Sequence, residues 1–177
     1  MCKTFFLACF LALMTGSNAF AQKNELSLII GGGVLTDGDS SVNASAFTVS
    51  YDRHIVKGLA IEGSLDVFFI KNGSLNRDDF GAAQIAAVYH FGSLKNRRVI
   101  PYVTAGIGSL TTDFTEIPSD PVYRFGAGAK YYFGKESPFG VRVEVRDEIT
   151  RQGHQGYPLR GDRLSLVSIR AGVTYRF

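Results

Sequence analysis

The sequence predicts an all-β fold. It is an eight-stranded antiparallel up-and-down transmembrane β-barrel, preceded by an N-terminal signal peptide that is cleaved. Three observations predict it. The 177 residues include 20 Gly, 14 Phe and 8 Tyr, with no Trp and only 5 Pro, a composition that favours strands over helices. Eight segments alternate apolar and polar residues with period two between turn-forming stretches. Most of them exceed the roughly 5–6 residues of an ordinary soluble strand and match the roughly 9–11 tilted residues that cross a bilayer.

Residues 1–21 form an address and not a structural element. Lys3 precedes an apolar run from Phe5 to Met14, and Ala19-Phe20-Ala21 supplies a small-x-small site, so cleavage is expected after Ala21. Residues 22–177 are then one barrel domain. Both cysteines, Cys2 and Cys9, lie in the removed segment, which leaves the mature chain without disulfides or thiolate chemistry. A net charge of +3 from 19 basic and 16 acidic residues is too balanced for a nucleic-acid binder. Past residue 21 no apolar run is long enough for a spanning helix.

The first segment, 25–33, ends in Gly31-Gly32-Gly33, which eases packing or bending. No helix follows it, so it is not a phosphate loop. The second, 45–54, sets Phe47, Val49 and Tyr51 against Thr48, Ser50 and Asp52. The third, 59–70, sets Leu59, Ile61, Leu65, Val67 and Phe69 against Glu62, Ser64, Asp66 and Phe68. The fourth, 80–91, ends in Tyr89 and Phe91, and the fifth, 99–110, carries Gly106 and Gly108 on its inner side. The sixth, 122–133, sets Phe125, Ala127, Ala129, Tyr131 and Phe133 against Arg124, Gly126, Gly128, Lys130 and Tyr132. The seventh, 140–150, sets Val141, Val143 and Val145 against Arg142, Glu144, Arg146 and Glu148. The eighth, 164–177, alternates from Val167 to Phe177 against Ser168, Arg170, Gly172, Thr174 and Arg176. Connections alternate in length. Ile55–Gly58, Gly92–Arg98 and Gly134–Phe139 are short, whereas Val34–Ala44, Lys71–Asp79, Thr111–Pro121 and Arg151–Arg163 are longer and more polar. Outer-membrane barrels have this asymmetry.

Alternation does not say which face is buried, and a soluble lipocalin-like calyx has apolar residues inside. Aromatics decide for a membrane. Tyr51, Tyr89, Phe91, Tyr131, Phe133, Tyr175 and Phe177 end the even-numbered segments at one level, as expected for a periplasmic girdle at a membrane interface. Glu62, Asp66, Arg124, Lys130, Arg142, Glu144, Arg146, Glu148 and Arg170 are then expected inside, paired across the lumen, since buried charges must be paired. Asp147 falls on the outward face. It lies near the outer rim, or a β-bulge shifts the register there.

At this point the sequence resembles the small outer-membrane β-barrel proteins of the OmpA, OmpX and opacity-protein type. The residues that carry the resemblance are Pro101 to Gly108, Phe125 to Phe133, Val141 to Glu148 and the terminal Gly172 to Phe177. The resemblance implies a monomer with its N-terminus in the periplasm, four external loops, and residence among outer-membrane lipid and lipopolysaccharide. It implies that Phe177 is the signal read by the barrel-assembly machinery. No domain is expected after the eighth strand, hence no peptidoglycan-binding module.

Eight strands enclose a space about filled by side chains, so no open diffusion pore is expected. His54 and His90 belong to strand ends and His154 to the fourth long loop. They are expected to be unrelated rim residues, because no ligand spacing joins them. No catalytic, metal or cofactor site emerges. His154-Gln155-Gly156-Tyr157 lacks the Ser and Asn of the small-barrel lipid A deacylases. Arg160-Gly161-Asp162 is a tripeptide that matches by chance. The leading expectation is a non-enzymatic structural or surface-interaction barrel. The alternatives are a lipid-modifying barrel enzyme and a soluble calyx.

Overall fold

The computed structural model describes residues 24–36, 40–71, 77–91, 99–111, 120–134, 137–151 and 163–177. The expected cleavage site at Ala19 and Ala21, His154 and the 160–162 tripeptide lie outside them. Eight strands follow in order: β1 (Asn24–Thr36), β2 (Ser41–Val56), β3 (Leu59–Lys71), β4 (Arg77–His90), β5 (Val99–Thr111), β6 (Asp120–Tyr132), β7 (Phe139–Arg151) and β8 (Arg163–Arg176). Each pairs antiparallel with its sequence neighbours. β1 closes on β8 from Glu25↔Arg176 to Thr36↔Ser165. Closure gives every strand two partners and removes the free edges that invite aggregation.

The period-2 pattern decides which way each side chain points. In β7, Arg142, Glu144 and Arg146 are buried in the barrel, while Val143 and Val145 are 51% and 50% exposed on its outside. The same inversion holds around the barrel. Leu28, Ile30, Leu65, Ile85, Ile107 and Ile169 form an exposed aliphatic band, and the bulkiest buried side chains include Arg124, Arg142, Arg146 and Arg170. A contiguous apolar surface of this extent is foreign to a water-soluble monomer.

The strands run further than the sequence pattern suggests, mostly at the rim of the expected long loops. The segment expected as the first long loop, Val34–Ala44, is mostly strand, and the connections at that rim shrink to 37–40, 72–76, 112–119 and 152–162. Those at the other rim are 57–58, 91–98 and 133–138, so the length asymmetry is weaker than expected. The reason lies in the residues. Near the long-loop rim the pattern inverts: Val42, Ala44 and Ala46 point inward, and Ser41, Asn43 and Ser45 point outward and are exposed. A 13-residue strand tilted by about 40° rises roughly 33 Å, against an apolar band of about 25 Å. The excess stands clear of the band, where outside means water. There the interior becomes an apolar layer: Leu35, Phe68, Ile70, Phe80, Leu110, Val122, Leu164 and Leu166 form one buried cluster. Phe68 and Phe80 stack within it at 4.6 Å.

No bulge interrupts β7, whose register with β6 and β8 is continuous. Asp147 therefore faces outward, towards the long-loop rim, opposite Phe125 and Val167. Ser165 Oγ donates to its Oδ1 at 2.8 Å.

Candidate functional site

Beneath the apolar layer the barrel is filled by charge. The nine residues expected in the lumen are all buried and converge there. Glu62 on β3 accepts from Arg124 of β6 and, at 2.5 Å, from Arg142 of β7. Glu144 accepts from Arg142 at 2.7 Å and lies 2.5 Å from Arg146. Asp66 takes Arg146 at 3.1 Å and Arg170 at 2.7 Å, together with the hydroxyls of Thr48 and Ser64. Glu148 pairs with Arg170 and accepts from Gln84 Nε2 at 2.9 Å. Lys130 lies 2.6 Å from both Glu25 and Asp52.

Small residues make the room. A Cβ on Gly128 would lie 2.6 Å from the Tyr102 hydroxyl and 2.4 Å from the Val143 carbonyl oxygen. The glycine lets Tyr102 lie across the lumen. Its hydroxyl donates to Glu144 at 2.7 Å and accepts from Arg142 Nε at 2.7 Å, with the guanidinium 4.9 Å above the ring.

Several members of this network escaped the sequence reading. Asp52 stands on a face already seen as polar, and its inclusion needed only the register. Tyr102 shares parity with Gly106 and Gly108, so its inward direction was also readable. Glu25 gave no signal, because Leu28, Ile29 and Ile30 hide the alternation of β1. In the structure it accepts from Tyr132 at 2.5 Å and Thr174 at 2.6 Å.

At the short-connection rim Tyr89, Phe91, Tyr131, Phe133, Tyr175 and Phe177 are exposed on the outside, between 37% and 61%. Phe139, assigned from sequence to a turn, joins them at 5.1 Å from Tyr175. Tyr51 corrects the expected girdle. It shares their face by parity, but it is only 4% exposed and its hydroxyl donates to Asn24 Oδ1 at 2.9 Å. His54 and His90 also depart from expectation. They are not unrelated, because their rings meet inside the barrel with centroids 5.0 Å apart.

Between the charge network and the apolar layer lies a cavity of about 20 Å³. It is lined in part by Gln84 and Glu148 of the network and by Phe68, Phe80, Leu166 and Thr150 at the level of the layer, and it has room for about one water. Among the described residues no group of three or more His, Cys, Asp or Glu is arranged to hold a metal ion.

The family model described as outer membrane protein beta-barrel domain matches residues 5–177. No curated protein sequence matches the chain. Among solved structures, Neisserial surface protein A is similar with a TM-score of 0.64 at 15% identity, over 90% of this chain and 100% of that one. Ail, the attachment invasion locus protein of Yersinia pestis, is similar with a TM-score of 0.55 at 18% identity, over 89% and 100%. The outer membrane enzyme PagL is similar with a TM-score of 0.52 at 17% identity, over 84% and 97%. At these identities the likeness is one of fold.

Proposed function

The chain belongs to the outer membrane protein β-barrel domain family and resides in the outer membrane, and from that premise we propose that it is a non-enzymatic, monomeric integral barrel. Its work is to stabilise the envelope or to present its external connections for interaction. The observation that carries this reading is the division of the side chains, with charge paired within the closed lumen and an aliphatic band facing out. Such a surface is satisfied by lipid, and such an interior leaves no wide path for solutes. On this reading residues 1–21 direct export and Phe177 is read by the barrel-assembly machinery. The aromatic rim lies on the periplasmic side, and the opposite rim meets lipopolysaccharide.

The test is gel mobility of the mature chain folded in detergent or lipid, boiled and unboiled. A heat-dependent shift together with loss of solubility without detergent is expected. Full aqueous solubility and a single band would refute the membrane reading.

A second reading, a lipid-modifying enzyme, draws on the outward contact between Ser165 and Asp147, which offers a hydroxyl beside a carboxylate on the bilayer face. Release of fatty acid from lipopolysaccharide that Ser165→Ala abolishes would establish it. Equal, null activity in both chains would leave the non-enzymatic reading standing.

A further inference from the structure

Two histidines stand outside the charge network. His54, inward on β2, and His90, at the end of β4, are 7% and 1% exposed. None of their four ring nitrogens has a hydrogen-bond partner among the described residues. A neutral imidazole carries one donor and one acceptor, and native interiors rarely bury such groups unpaired. The strand between the two offers only a methyl at this level, since His54 pairs with Ala60 and Ala60 with Val88. The rings therefore meet across β3, with centroids 5.0 Å apart and planes at 43°. Tyr102 flanks His90 at 5.8 Å but turns its hydroxyl to Glu144. Two residues along the same inward face of β2, Asp52 Oδ2 accepts from Lys130 Nζ at 2.6 Å, while Oδ1 has no hydrogen-bond partner among the described residues.

We propose that His54 and His90 form a two-imidazole site for a divalent transition ion of the Zn²⁺ and Cu²⁺ class, reached from the short-connection rim. Neutral imidazole suits these ions. A metal about 2.0 Å from a ring nitrogen sits roughly 3.1 Å from the ring centroid, so two rings on one ion at about 90–110° have centroids roughly 4.4–5.1 Å apart. The observed 5.0 Å lies in that range. No third His, Cys, Asp or Glu among the described residues is placed to coordinate, so the protein supplies two ligands. Of the neighbouring cations, Lys130 is held by Glu25 and Asp52 and Arg142 by Glu62 and Glu144, while Arg176 donates to the Ser137 carbonyl. With two protein ligands the affinity is modest, in the micromolar range. An ion here joins β2 to β4 and stabilises the folded barrel by linkage.

The test uses the mature chain without a histidine tag, folded in detergent and titrated with Cu²⁺ alone and then Zn²⁺ alone. One ion per barrel is expected, with electron paramagnetic resonance of the Cu²⁺ form showing coupling to two imidazole nitrogens. The temperature at which the unboiled gel form converts should rise with either ion. His54→Gln and His90→Gln should each weaken binding more than about tenfold and remove one nitrogen from the signal, whereas His154→Gln should change neither. Heat-dependent mobility identifies the variants that fold, and either folded one suffices. An unchanged two-nitrogen signal in a folded variant, or no saturable binding up to about 100 µM, would overturn the proposal.

Discussion

Replacing Glu62 with alanine should destabilise the barrel more than any other single change in the lumen. Glu62 is fully buried and accepts from both Arg124 and Arg142, with Arg146 at 3.8 Å. Its loss strands charge unequally. Arg142 keeps Glu144 at 2.7 Å and Tyr102, whereas Arg124 keeps only the hydroxyls of Ser64 and Thr104, each at 3.1 Å. An orphaned buried charge costs about 3–5 kcal/mol. With a urea slope of roughly 2 kcal/mol per molar, the unfolding midpoint in lipid vesicles should fall by roughly 2 M. The chain has no Trp, so gel mobility or circular dichroism follows the transition. The double variant E62A/R124A should recover part of the loss, because it leaves no guanidinium stranded on β6. A midpoint for E62A within about 0.3 M of the parent would refute the reasoning. It would mean that water fills the lumen and screens its charges.

Four further outcomes follow from the same geometry. Gly128→Ala drives a methyl against Tyr102 and the Val143 carbonyl and should cost about 1–3 kcal/mol. Gly63→Ala meets nothing within 4 Å and should stay within about 0.5 kcal/mol in the same urea assay. Val145→Arg, on the exposed centre of β7, should cost about 2–4 kcal/mol in lipid, while Asp147→Asn, nearer the long-loop rim, should change stability by about 1 kcal/mol or less; equal effects would mean that depth is misassigned. In planar bilayers the folded chain should show no persistent large conductance, because the Phe68 and Phe80 layer seals one end; a stable open pore would contradict that seal.

The sequence by itself determined the strand count, the order, the closed up-and-down topology and the side on which most residues lie. The reason is that a period of two is a local property: each of Arg142 to Glu148 declares its face through its neighbours. The inward direction of the nine charges was legible in this way. Their partners were not, because Glu62 meets Arg124 and Arg142 across the lumen and not along a strand. Strand ends were misjudged where the solvent changes. Val42, Ala44 and Ala46 point inward beside outward Ser41, Asn43 and Ser45, a pattern that is loop-like only if the outside is assumed apolar throughout. The membrane-type and soluble-type barrels, weighed as rivals from sequence, occupy different heights of the same strands. Only the tertiary structure decided that division, since it depends on how far each strand rises past the apolar band. Only it brought His54 and His90 together, since their meeting depends on the small size of Ala60 on a strand between them. Alternation specifies a face, and contact across a closed barrel is specified by register and tilt.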